Sequence, residues 1–97
     1  MSKFDQAKML LKARKIQKEL EHQIISVTKG DGAVVVEISG DQKIKKIKIN
    51  PDDVDIDDIE QLEIWLTEAI REALSSSQRI AAEKMQPMMG ALGNLGL

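Results

Sequence analysis

The sequence predicts an α+β domain built as a helix, a three-stranded antiparallel sheet and a long helix, in that order. Three observations carry this prediction. Apolar residues recur at steps of three and four in the first and last parts of the chain. β-Branched residues alternate at period two in the middle. Glycine- and proline-containing breaks separate the two patterns. With 97 residues and no internal boundary or repeat, the chain amounts to one domain, read as residues 1–87, with a flexible tail over residues 88–97.

The first helix is expected from about Ser2 to His22, a stretch without Gly, Pro or Thr and rich in Lys, Gln, Ala, Leu and Glu. Met9, Ala13, Ile16, Leu20 and Ile24 fall on one narrow stripe that must be buried. Lys8, Lys12 and Lys15 share one flank of this helix, and Arg14 and Lys18 lie round the opposite side. Near Ile25 the pattern changes to that of a strand, and Gly30-Asp31-Gly32 supplies positions that tolerate the positive φ of a tight hairpin.

Val34, Val36 and Ile38 then alternate with Val35, Glu37 and Ser39, which marks the second strand. Gly40-Asp41-Gln42 makes the next turn. The third strand runs from Lys43 to Asn50, with Ile47 and Ile49 inward, Lys46 and Lys48 outward, and Ile44 on the other face. That reading leaves apolar surface on both faces of the sheet, more than two helices with narrow stripes can cover, and so points to burial between two subunits. Lys43, Lys45, Lys46 and Lys48 read best as charges that stop an edge strand from pairing with other chains.

Pro51 ends the strand. The acidic run from Asp52 to Glu60 leads into the last helix, with Asp57 as N-cap and Glu60 three residues on. This helix is expected from about Asp58 to Met85, with a stripe of Leu62, Leu66, Ala69, Ala73 and Ile80 and a softened turn at Ser75-Ser76-Ser77. After Pro87 the glycine-rich, uncharged segment 88–97 is expected to fray.

Composition narrows function by exclusion. There is no cysteine and one imidazole, His22, so disulfides, thiolate zinc sites, thiol nucleophiles and paired-histidine metal sites are ruled out. The acidic run lacks the glycine and ordered ligand spacing of a calcium loop, and Gly30-Asp31-Gly32 is too short for a phosphate-cradling loop and leads into a strand. No acid–base pair or activated nucleophile can be assembled, so the chain reads as non-enzymatic, without cofactor or small-molecule substrate. No apolar stretch approaches the roughly 20 residues of a membrane span, and a cytoplasmic protein is expected.

Net charge is −2, yet the charges segregate. Lysines and one arginine dominate the first third, whereas eight acids from Asp52 to Glu68 run without an intervening Lys or Arg. Local potential rather than net charge decides where an anion docks.

The segment from Val27 to Gly40, with Gly30-Asp31-Gly32 at its turn, resembles the hairpin of the YbaB/EbfC family. So does the strand end Ile47-Lys48-Ile49-Asn50-Pro51 before an acidic approach to the last helix. A Lys/Gln-rich first helix, an Ala-rich last helix and a Gly/Met/Leu tail extend the resemblance over almost the whole chain. The resemblance implies a nucleoid-associated homodimer whose sheets form the body and whose helices project like tweezers, holding DNA near those helices with little sequence preference.

The residues supply a mechanism for such binding, since Lys8, Lys12 and Lys15 at i, i+4 and i+7 suit successive phosphates of duplex DNA. Lys3, Arg14, Lys18, Arg71 and Arg79 are assigned supporting contacts. Phe4 and Trp65 are the only aromatics, which disfavours base stacking on a single strand. The competing reading is a protein-interaction module that grips a partner through the exposed helices and the apolar tail.

Overall fold

The computed structural model describes residues 2–93, with side chains through Met89. Helix α1 spans Lys3–His22, strands β1, β2 and β3 span Ile24–Lys29, Val34–Ser39 and Ile44–Ile49, and helix α2 spans Ile59–Gly93. The strands form one antiparallel sheet in the order β1-β2-β3, so β3 is an edge, with all of its residues exposed. The expected α+β order is the observed one. Neither helix is long and apolar enough to cross a membrane.

The hairpin between β1 and β2 turns through Gly30, Asp31 and Gly32, whose φ values of 64°, 52° and 103° lie in the left-handed region that glycine tolerates best. Gly30 has a second constraint. A Cβ placed there would lie 2.8 Å from the indole ring of Trp65, so the bare backbone is the surface on which α2's tryptophan rests.

One face of the sheet packs on α2. Val27, Val34, Val36 and Ile38 are buried against Ala69 and Ala73, with Leu62, Trp65, Leu66, Ile70 and Leu74 packed around them. Alanines at the centre of this contact let α2 approach the sheet closely.

The opposite face differs from expectation at one residue. It carries Ser26, Thr28, Glu37, Lys46 and Lys48 with the apolar Ile24 and Val35, and Ile44 does not join it. The register shifts between Glu37 and Ile38, pairing Glu37 with Lys46 but Ile38 with Ile44. This bulge inserts one extra residue and turns Ile44 back to the α2 side, beside Ile47 and Ile49. On the α2 side this leaves an uncovered apolar strip along the β3 edge, where Ile44, Ile47 and Ile49 remain 41%, 43% and 44% exposed, while Ile24 is 52% exposed on the other face.

Helix α1 is capped by the Ser2 hydroxyl, which accepts from Asp5 N–H at 3.2 Å. It meets the sheet at its last turn, where the Gly40 N–H donates to the carbonyls of Leu20 and Gln23 at 2.8 and 2.9 Å. Leu20 is the one buried residue of α1, so most of this helix stands clear of the sheet.

Helix α2 departs from expectation at both ends. Its N-terminal cap is Asp58, whose carboxylate accepts from Gln61 N–H at 3.3 Å, rather than Asp57; the spacing of a capping box fits either pair, and the chain begins its helix one residue later. At the other end the helix passes Met85 and Pro87 and runs to Gly93. Pro87 removes one backbone bond, but the half-buried Met85 and Met88 on either side gain packing that carries the helix through. Of the expected tail, residues 88–93 are thus helical, and residues 94–97 lie outside the described residues.

The serine run does not soften the helix. Ser77 is fully buried, and its hydroxyl donates to the Ser39 carbonyl at 2.7 Å and accepts from Gln42 N–H at 3.1 Å. These bonds tie α2 to the β2–β3 turn.

Candidate nucleic-acid interface

Beyond the sheet, α1 and the outer half of α2 lie side by side and antiparallel, joined where Lys84 Nζ donates to the Glu19 carboxylate at 3.2 Å. They project from the sheet as a two-helix arm on a molecule 64 Å long and 22 Å wide.

Lys3, Lys8, Lys12, Arg14, Lys15 and Lys18 are all exposed on α1. None enters an ion pair among the described residues. Helical geometry places Lys8, Lys12 and Lys15 within roughly 60° of one another over about 10 Å of axis, comparable to the distance over which charges still act on each other at 0.1 M salt. Lys12 and Lys15 border a groove between the two helices. Lys18 lies about 60° round from Lys15, and Arg14 and Lys3 continue the fan to roughly 180° from Lys12, so a polyanion reaching all six must wrap about half of the helix. Carboxylates on α1 are kept to its ends, at Asp5, Glu19 and Glu21.

The two arginines of α2 are not brought to this surface. Arg71 and Arg79 are exposed on the side of α2 turned away from buried Ala69, Ala73 and Ser77. Arg71 sits in a shallow depression with Glu60, Glu63 and Glu68, and Arg79 pairs with Glu83 at 4.0 Å. Lys29, which adds to the basic balance of the first third, is held by Glu72 at 2.7 Å. The hydrogen bond that Lys29 donates to that carboxylate, and then the carboxylate's charge, raise the Lys29 pKa above the ordinary lysine value.

Lys45, Lys46 and Lys48 of β3 stand on an exposed edge, where Lys48 lies 3.8 Å from Glu37, and just before the strand Lys43 lies 3.6 Å from Asp41. Their position on an edge strand agrees with a role in blocking further pairing.

Two features were not read from the sequence. Phe4, Leu10 and Leu11 are 79%, 54% and 64% exposed, so apolar side chains are interleaved with the cations of α1. Their signal was present, since Phe4 and Leu11 stand seven residues apart, off the buried stripe. The groove itself had no signal, because part of its far wall, Pro87 and Met88, lies past Met85, the expected end of the helix.

Comparison with known proteins decides the family. The model of the YbaB/EbfC DNA-binding family matches residues 1–92. The chain belongs to the YbaB/EbfC family.

Among YbaB/EbfC-like relatives, a nucleoid-associated protein of Chloroflexus aurantiacus is 40% identical over 82 residues, covering 84% of this chain and 82% of that protein. A nucleoid-associated protein of Desulforamulus reducens is 40% identical over 97 residues, with 93% and 92% covered. The crystal structure of an uncharacterized protein from Helicobacter pylori superposes with a TM-score of 0.78, covering 86% of this chain and 87% of that one. At 17% identity that likeness speaks for the fold. In this YbaB/EbfC chain, then, the family's fold presents a projecting helix whose cations have no carboxylate partner among the described residues.

Proposed function

We propose that the protein is a non-enzymatic, nucleoid-associated homodimer that binds duplex DNA through phosphate contacts with little sequence preference. Lys8, Lys12 and Lys15 carry the binding, assisted by Lys3, Arg14 and Lys18. Arg71 and Arg79 take part only if the second subunit or a bent duplex brings DNA to the outer side of α2. The observation that carries the reading is a projecting helix with six cations, none paired with a carboxylate among the described residues. The membership in a DNA-binding family and the nucleoid-associated relatives point the same way. Location at the nucleoid follows from the same reading.

The dimer is supported by the half-exposed strip of Ile44, Ile47 and Ile49, which lies on the α2 side of the sheet. Covering such a face with a second copy buries apolar area that the single chain leaves wet.

Fluorescence anisotropy with a labelled duplex, over about 50 to 300 mM salt, tests the reading. Each phosphate contact contributes about 0.9 to the slope of log affinity against log salt, so Lys8→Gln/Lys12→Gln/Lys15→Gln is expected to lower the slope by about 2.7 per protomer engaged. A duplex held by both protomers of a dimer loses about twice that. An unchanged slope would rule these lysines out as the phosphate contacts. The exposed Phe4, Leu10 and Leu11 favour the alternative of a protein partner on α1. Under that alternative the lysine substitutions leave DNA affinity unchanged, and polar substitutions of Leu10 and Leu11 abolish capture of the partner.

A further inference from the structure

The groove between the outer ends of α1 and α2 is a cavity of about 270 Å³. Its floor is apolar, made by Met9, Ile16, Pro87 and Met88. Its rim carries Lys12, Lys15 and Lys84, and the one carboxylate on that rim among the described residues, Glu19, is already held by Lys84 at 3.2 Å. Lys12 and Lys15 have no such partner among the described residues. An occupant matched to this groove must therefore bring an apolar side chain and carboxylates together.

The chain carries such a segment at its other end. Between β3 and α2, Ile56 is 81% exposed, the most exposed large apolar side chain among the described residues. Asp55 and Asp57 flank it, and Asp52, Asp53 and Asp58 stand close by in sequence. Ile56 does nothing for the chain's own core. Its exposure to water is a cost that an apolar floor would remove, while the adjacent carboxylates meet the free lysines.

A chain cannot satisfy its own groove. Asp58 caps the start of α2 and Lys84 lies 26 residues further along it. At about 1.5 Å per residue, that places the two roughly 39 Å apart along one rigid helix.

We propose that the segment around Ile56 of one copy docks in the α1–α2 groove of another, giving a head-to-tail array. Groove and segment are different surfaces at opposite ends, so the contact is heterologous and each added copy leaves one of each free. This contact stands on the groove and the segment alone, whether or not Lys12 and Lys15 also hold phosphates.

The absence of cysteine makes a clean test possible. Two single-cysteine variants, Asp52→Cys beside the segment and Gln86→Cys beside the groove, are mixed and treated with a short bismaleimide at about 50 mM salt, where exposed charges act strongly. The mixed 52–86 product is expected to exceed by several-fold that of a control pair, Asp52→Cys with Ser26→Cys. Adding Lys12→Glu/Lys15→Glu to the groove copy, or Ile56→Ser to the segment copy, is expected to lower the yield roughly tenfold. Adding Asp55→Lys/Asp57→Lys to the segment copy is expected to restore the yield lost through the reversed lysines, a rescue that misfolding cannot produce. A 52–86 yield equal to the control, or a charge swap that fails to restore it, overturns the proposal. Loss of DNA binding in the lysine variants bears only on the phosphate reading, because the cross-linking contains no DNA.

Discussion

Ser77→Ala tests whether the helix that forms one wall of the arm is positioned by a polar clamp. The Ser77 hydroxyl is fully buried and makes two bonds to the β2–β3 turn, 2.7 Å to the Ser39 carbonyl and 3.1 Å from Gln42 N–H. Alanine deletes both. The two backbone groups keep one bond between themselves, Gln42 N–H to the Ser39 carbonyl at 3.0 Å, so neither is orphaned. Two neutral hydrogen bonds at roughly 1 kcal/mol each, with that partial rescue, put the loss at about 1–2 kcal/mol. For a domain of this size that corresponds to a fall in melting temperature of roughly 5–15 °C. Urea and thermal unfolding followed by circular dichroism, beside the exposed Ser75→Ala as reference, provide the measurement. Ser75→Ala is expected to stay within about 0.5 kcal/mol of the parent. Equal midpoints for Ser77→Ala and the parent, or equal losses for both serines, would refute the clamp.

Three further outcomes follow from the turns. Gly40→Ala places a Cβ 2.9 Å from the Leu20 carbonyl and 3.1 Å from its Cα, backbone against backbone, so α1 must move from the sheet. A loss of about 1–3 kcal/mol is expected, with faster amide exchange in the last turn of α1 than in β2. Gly30→Ala combines a left-handed backbone with a Cβ 2.8 Å from the Trp65 ring, so the strain of about 1–2 kcal/mol adds to the displacement of the ring. Lower stability and a changed emission maximum of the single tryptophan are expected; unchanged fluorescence would show that the ring does not rest on the glycine.

Asp41 governs acid behaviour at the β2–β3 turn. The hydrogen bond from the Ser39 hydroxyl, helped by the Lys43 charge, holds its pKa below the usual carboxylate value. A carboxyl whose folded pKa is depressed stabilises the fold above its unfolded pKa of about 3.9, and that contribution is lost as pH falls through the folded value. Asp41→Asn is therefore expected to unfold at lower urea than the parent at pH 7, with the difference closing as pH falls below the unfolded pKa and through the lower folded one. A difference constant over that range would exclude the carboxylate as its source.

The legible part of this protein was local. Element order, the left-handed turn at Gly30-Asp31-Gly32, the stop at Pro51 and the basic flank of α1 all follow from residue type and period over short windows, because backbone preference and amphipathic pattern act over a few residues. The same local rules misplaced Ile44, since a bulge is selected by how β2 and β3 pair and not by alternation within β3. They also stopped α2 too early, since the cost of Pro87 is local but the packing of Met85 and Met88 that offsets it comes from outside α2.

The sequence alone determined which residues are charged, which strands and helices form, and that the first helix is a cationic rod. Only the tertiary structure decided that Arg71 and Arg79 lie on a different surface from the lysines of α1, that Ser77 is a clamp and not a weak turn, and that Lys12 and Lys15 overlook an apolar groove. Those outcomes depend on how one helix is rotated and seated against its neighbours. That choice is made by contacts between residues far apart in the chain, 35 and 38 positions at the Ser77 clamp and 65 between Lys84 and Glu19, which no short window of sequence contains.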